Sequence, residues 1–296
     1  MPVFVAIEAG GTKFICAHGN SPDTLEDRVR IETAHPEETI PALFDYIHSV
    51  QQHHEVASIG LACFGPLDLD MNSSSYGSIT STPKVAWQRY NIVNALKERF
   101  ALPIGFDTDV NAAALGEQRW GAARDVDSLI YITVGTGIGV GVVIDGRLLH
   151  GALHPEAGHI RVPKLPDDKF KGVCPFHGDC LEGLASGPAL KERWQVSSAL
   201  DLPRDHPAWD MEAQYIAYAV CNYTLCYAPQ RVVLGGGVMR QPGLIERIRP
   251  RLANAINRYV QYPAVNQIDS YLVAAGLGDN AGIAGALALA ERAVQR

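Results

Sequence analysis

The chain has 296 residues, 47% of them hydrophobic, with 25 Lys+Arg against 32 Asp+Glu for a formal net charge of −7. That balance suits one large globular domain or two moderate ones, and it leaves no broad basic surface to neutralise a phosphate backbone, which argues against nucleic acid as a partner. No run reaches the roughly 18–20 apolar residues of a membrane helix, and the first apolar run is interrupted by Glu8 with no basic segment before it, so the expectation is a cytoplasmic protein with no membrane partner.

The opening Met1–Glu8 run reads as a first strand. Val3–Ala9 and Phe14–His18 flank a glycine turn as a hairpin, and 57–62 is a further short strand. Helical spacing runs over 37–52, 91–99 and 111–119, with a short strand at 104–106 just before the last of these. A second hairpin, 128–134 with 139–144, surrounds Gly135-Thr136-Gly137-Ile138-Gly139, and Asp145-Gly146 makes a tight turn after it. A long helix over 209–227, a buried strand at 231–234, a helix over 244–259 and an Ala-rich helix over 281–292 complete the chain. Each half therefore opens on a glycine-turned hairpin and continues in α/β alternation. Two related α/β domains facing a cleft are expected: 1–117, with 281–296 packing back on it, and 118–280.

Three glycine clusters follow predicted strands: Gly10-Gly11-Thr12-Lys13, Gly135-Thr136-Gly137, and Gly235-Gly236-Gly237-Val238-Met239. Bare backbone N–H groups at such turns converge on an anion, although any one cluster alone reads as a tight turn. None has P-loop spacing or the dinucleotide fingerprint. The Gly276–Gly282 run near the C-terminus reads instead as the start of the last helix, with Asp279 or Asn280 as its N-cap.

Cys174, His177 and Cys180 form a Cys-x2-His-x2-Cys run in a loop rich in Gly, Pro and Asp. Thiolates and imidazole at that spacing suit tetrahedral zinc, and a closed set of four ligands is structural. His154 and His159 are both placed to supply the fourth. Asp107 and Asp109 stand between a short strand and an Ala-rich helix, where Asp109 reads either as an N-cap or as a carboxylate able to take a proton from an attacking hydroxyl.

Taken together, Glu8–Lys13, Asp107–Glu117, Gly135–Gly141, Glu156–His159, the Cys/His loop, Leu234–Val238 and Gly278–Ile283 resemble the ROK family of sugar kinases and regulators, in order and over essentially the whole chain. The resemblance implies an actin-like, ribonuclease-H-like ATPase fold closing around ATP and a sugar. The His in the middle of the loop looks most like the bacterial fructokinase branch, so the implied reaction is ATP-dependent phosphorylation of a hexose, D-fructose first, with mannose, glucose and hexosamines, or a non-catalytic sugar sensor, as alternatives.

By the same resemblance Asp109 matches the general base, and Glu156, His159 and Glu182 match sugar-contacting positions. His159 joins Cys174, His177 and Cys180 as a zinc ligand. Gly11, Thr12, Lys13, Thr133, Gly135, Thr136 and Gly137 match phosphate-loop positions, and Pro188 with Gly235, Gly236, Gly237, Val238 and Met239 matches positions around the adenosine. Mg²⁺ on the phosphates is implied by the chemistry, and a homodimer by family analogy. Two departures stand out: Glu8 where many members have Asp, and Thr108 where many have Asn, the second removing an amide that could bond the sugar.

Overall fold

The computed structural model describes residues 2–295; Met1 and Arg296, at the outer ends of the two expected terminal segments, lie outside the described residues. The chain forms two compact units. One comprises the residues up to Arg124, Leu148–Pro155 and the residues from Asp279 on, and the other comprises Asp125–Arg147 with Glu156–Gly278. The expected division made one cut at 117/118 and one return near 281. The structure adds an excursion, in which 148–155 rejoins the first unit before the second resumes.

In the first unit, β1 (Val3–Ala9), β2 (Lys13–Gly19), β3 (Glu26–Glu32), α1 (Pro36–His53), β4 (Val56–Cys63), α2 (Ile92–Arg99), β5 (Ile104–Thr108) and α3 (Asp109–Arg119) follow in order. β1, β2 and β3 pair antiparallel while β4 and β5 run parallel to β1, giving the order β3-β2-β1-β4-β5. α1 starts with Pro36 at its first turn, where the missing N–H costs nothing, and buries Ile40, Leu43, Ile47 and Val50 at helical spacing. These side chains join Val5, Ile7, Phe14, Ile59 and Leu61 of the sheet and Trp87 in one apolar core.

In the second unit, β6 (Leu129–Val134), β7 (Ile138–Ile144) and the two-residue β8 (Arg147–Leu148) are followed by α4 (Leu181–Ala185), α5 (Gly187–Trp194), α6 (Ala208–Tyr227), β9 (Arg231–Gly235), α7 (Leu244–Ile256), α8 (Pro263–Asn266), α9 (Ile268–Tyr271) and β10 (Leu272–Ala274). Its sheet has the order β8-β7-β6-β9-β10, with β6 and β7 antiparallel and β9 parallel to both β6 and β10. The two sheets thus share one plan: an antiparallel hairpin whose first strand pairs on its other side with parallel crossover strands. Asp145 and Gly146 both take left-handed φ, 50° and 73°, as the predicted tight turn requires.

The last helix, α10 (Ala281–Ala293), packs on α3, β1, β4 and β5 of the first unit. Glycine makes that approach close enough. A Cβ on Gly60 would stand 1.8 Å from the Ala286 carbonyl oxygen, and one on Gly105 would stand 2.1 Å from that of Leu289. Both obstacles are backbone, so they do not yield by a rotamer change. Gly60→Ala is therefore expected to destabilise the fold by about 3 kcal/mol, seen as a lowered thermal midpoint; an unshifted midpoint would contradict this packing.

Among the described residues no helix is long and apolar enough to cross a membrane.

Candidate active-site residues and metal centre

β5 runs straight into α3 through Thr108, whose extended backbone and side chain make it the helix cap: its Oγ1 accepts the Asn111 N–H at 3.2 Å. Asp109 is consequently the first residue inside the helix and not its cap, so the capping reading of that position does not hold. Its Oδ1 accepts the adjacent Val110 N–H at 2.8 Å, and desolvation pushes its carboxyl up to about 6. Asp107, by contrast, has both oxygens engaged. Oδ1 accepts the Thr108 N–H at 2.8 Å and the Asn111 side-chain amide at 2.7 Å, and Oδ2 lies 2.9 Å from His150 Nε2. Of the acidic pair, Asp109 is the one whose carboxylate is not bound up in a side-chain network.

Glu8 stands at the end of β1, and its carboxyl is pushed up to about 7, first by burial and then by the negative charge of Asp109, with Arg28 and Lys13 pulling the other way. It occupies the space over Gly282 in the first turn of α10, where a Cβ would lie 2.4 Å from the carboxyl carbon. Asn280 does stand at the cap position of α10, but its Oδ1 accepts from Arg28 at 2.7 Å, and it makes no cap bond.

The first glycine turn is closed by the Gly10 N–H donating to the Lys13 carbonyl at 3.0 Å, and the Thr33 hydroxyl donates to the Gly10 carbonyl at 2.7 Å. Gly11 and Thr12 lie at its tip. Lys84 brings its Cε within 3.6 Å of where a Gly11 Cβ would stand. A flexible ammonium beside a bare-backbone turn suits a phosphate.

In the second unit the other two glycine turns come together. Thr133 pairs with Gly139 on one side and Gly235 on the other, and Gly135 faces the Gly237 amide nitrogen. The Gly187 N–H donates to the Gly135 carbonyl at 2.7 Å, which brings Pro188 and the start of α5 onto the same turn. Gly236 takes φ +91°, and a Cβ there would strike the Val134 backbone at 2.4 Å, so the turn requires glycine. Val238 and Met239 continue from it in a short 3-10 turn.

His159, Cys174, His177 and Cys180 offer ligand atoms that all lie within 4.8 Å of one another. The Cys174 sulfur is 3.7 Å from His159 Nδ1 and 3.6 Å from His177 Nδ1, and the Cys180 sulfur is 3.5 Å from His159 Nδ1. Tetrahedral zinc with bonds of about 2.3 Å to sulfur and 2.0–2.1 Å to nitrogen sets its ligand atoms about 3.5 Å apart, so this donor set fits. His154 is elsewhere: buried, its Nε2 accepts the Leu67 N–H at 3.0 Å. Of the two candidates for fourth ligand, the structure brings only His159 to the loop.

Glu182 ties this loop to the second glycine turn. Its Oε2 accepts the Ile138 N–H at 3.0 Å, its Oε1 is 4.0 Å from His159 Nδ1, and a Cβ on Gly137 would stand 2.6 Å from Oε2. Glu156 is exposed just before the 157–159 turn, with its carbonyl accepting the His159 N–H at 3.0 Å. The Glu182–Ile138 bond has no local sequence signal, because 44 residues separate its partners. The same holds for the His150–Asp107 pair.

The ROK family model matches residues 4–293. A chain from Bacillus subtilis is 46% identical over 98% of this chain and 95% of its own length, and a fructokinase of Pediococcus pentosaceus is 44% identical over 98% of each. Among solved structures, a ROK hexokinase from Thermus thermophilus superposes with a TM-score of 0.79 at 28% identity, covering 99% of both chains.

Proposed function

The chain belongs to the ROK family, and we propose that it transfers the γ-phosphoryl group of ATP to the 6-hydroxyl of D-fructose, giving D-fructose 6-phosphate. It is an ATP-dependent sugar kinase with the actin-like α/β ATPase fold of that family. The observation that carries the choice of sugar is the 44% identity, over nearly the full chain, to a protein named as a fructokinase. Thr108 supports it. The position where many relatives carry a sugar-facing amide is here committed to capping α3.

In this reading Asp109 takes the proton of the attacking hydroxyl. Its pKa near 6 leaves it ionised at neutral pH yet far more basic than an ordinary Asp, which is the compromise a general base needs. The turns at 11–13 and 133–137 present backbone amides, with the Thr12 and Thr136 hydroxyls, to the phosphates, and Lys13 and Lys84 add positive charge at the first turn. Gly235–Met239 and Pro188 receive the adenosine. Mg²⁺ bound with the nucleotide would supply neutralisation of the phosphate charge. Glu8, raised by burial beside Asp109, stays partly protonated in the free enzyme and so spares the base a second full negative charge.

His159, Cys174, His177 and Cys180 would hold a structural zinc ion. Glu182, which accepts the Ile138 N–H and stands beside His159, would then link the pinned loop to the sugar pocket without entering the reaction.

The reading is tested by isolating the product from fructose and ATP and locating the phosphate by its NMR couplings. Phosphate at C6 supports it, and phosphate at C1 or no sugar phosphate overturns it. A second prediction concerns Gly282→Ala. The added methyl must displace the Glu8 carboxylate, a flexible target, so the thermal midpoint should stay within a few degrees while kcat falls about 100-fold, the scale of a 1 Å misplacement near the chemistry. An unchanged kcat would remove Glu8 from the account.

A further inference from the structure

His18, Glu26 and His54 lie together in the first unit, and the kinase reading uses none of them. His18 and Glu26 are directly opposed on the antiparallel strands β2 and β3, just past an irregularity in the pairing where Asp27 takes φ 47°. His54 follows the last residue of α1 and caps it with extended backbone. The two imidazoles sit with centroids 4.9 Å apart, and one ligand atom from each of the three residues lies within 4.8 Å of the others.

A second observation singles out this cluster. The His18 residue is 1% exposed, its Nδ1 lies 3.3 Å from the Tyr46 hydroxyl, and its Nε2 is buried with no hydrogen-bond partner. A buried polar atom left without a partner costs about 1–3 kcal/mol, so something is expected to satisfy it. With the ring proton on Nδ1, toward the Tyr46 hydroxyl, the lone pair stands on Nε2. This is the outer-shell arrangement that metal-ligating histidines use.

We propose that His18, Glu26 and His54 form a transition-metal site, distinct from the Cys/His loop, that binds a zinc-class dication through two imidazoles and one carboxylate. The donor set is that of borderline cations such as Zn²⁺, and it is unsuited to Mg²⁺ or Ca²⁺, which prefer oxygen alone. Bonds of about 2.0–2.2 Å place such ligand atoms roughly 3.4 Å apart. Glu26 and His54 are exposed, so rotamer adjustment on the solvent side closes the difference. Three protein ligands leave the fourth position to water. The ion would clasp β3, an edge strand with almost no buried side chain, to β2 and to the end of α1, stabilising the folded state by mass action.

The test is zinc binding to the purified protein with its Cys/His loop filled, comparing wild type with His54→Ala and Glu26→Gln by calorimetry and by elemental analysis after gel filtration in micromolar free Zn²⁺. Wild type should carry one equivalent more than either variant. The variants should bind that equivalent more weakly by more than the roughly 10–100-fold that losing an outer-shell partner costs, with kinase activity unchanged. Zinc should also raise the thermal midpoint of wild type more than that of His54→Ala. Equal stoichiometry and equal affinity in all three proteins would overturn the proposal, whether or not the loop itself holds zinc.

Discussion

Asp109→Asn is expected to lower kcat by about 10²–10⁴-fold, the usual contribution of a positioned general base, with the fold intact. The stability side is what distinguishes this from a packing defect. A carboxyl whose pKa rises to about 6 in the folded protein binds a proton more tightly there than in the unfolded chain, where Asp lies near 3.9. Folding is therefore favoured by this group at low pH, and that contribution is lost as pH climbs from about 4 through about 6. Asn cannot ionise, so the variant should be no less stable than wild type at neutral pH. In wild type, kcat/KM should rise with pH through about 6 and stand roughly tenfold below its plateau at pH 5, because only the ionised form accepts a proton. A variant that retained activity, or one that lost activity only by unfolding, would remove Asp109 from the base role.

The second large effect is expected at the Cys/His loop. Cys180→Ser, or removal of metal by a strong chelator, should release one equivalent of zinc. Structural zinc binding in small folding units is worth about 10–16 kcal/mol, part of which is spent here on ordering a single loop. Loss of several kcal/mol of local stability is therefore expected, read as rapid amide exchange over 172–183 and early protease cleavage there. The loop is tightly wound: Cys174 and Gly178 exchange backbone hydrogen bonds at 3.2 and 2.9 Å, and a Cβ on Gly183 would meet the Gly178 carbonyl at 1.8 Å. Because Glu182 sits at its end and holds the Ile138 amide, the sugar KM should rise at least tenfold, with ATP affinity changing less. A zinc-free protein with the same sugar KM would reduce the loop to a surface ornament.

Much of this architecture was legible in the residues because it rests on strong local signals. Apolar runs bounded by glycine marked β1, β2, β4, β6, β7 and β9, and α1 was readable from Ile40, Leu43, Ile47 and Val50 at helical spacing. What escaped was structure without an apolar pattern. β3, Glu-Asp-Arg-Val-Arg-Ile-Glu, is exposed at six of its seven positions and is held by backbone pairing to β2, so nothing in its side chains announces a strand. The 148–155 excursion is short, carries no periodicity, and joins the first unit through His150 on Asp107 and His154 on Leu67, contacts that only the folded chain reveals.

The candidate site divides in the same way. Cys174, His177 and Cys180 were legible from spacing alone, whereas preferring His159 over His154 needed the family resemblance, and the fold places His159 with the sulfurs for its own geometric reasons. For Asp109 the sequence left capping and catalysis open, because Asp suits either; the backbone gave the cap to Thr108. Lys84 beside Gly11, Glu182 beneath Gly137 and the Glu8–Gly282 contact join residues tens to hundreds of positions apart, and no window of sequence contains them.

The central claim is the acceptor. ADP release should be measured with Mg²⁺-ATP and zinc-replete protein against fructose, glucose, mannose, N-acetylglucosamine and N-acetylmannosamine, with Asp109→Asn beside wild type. A kcat/KM for fructose at least tenfold above every other sugar, abolished in the variant, is the predicted result, while a preference for another hexose or no turnover with any of them would contradict it.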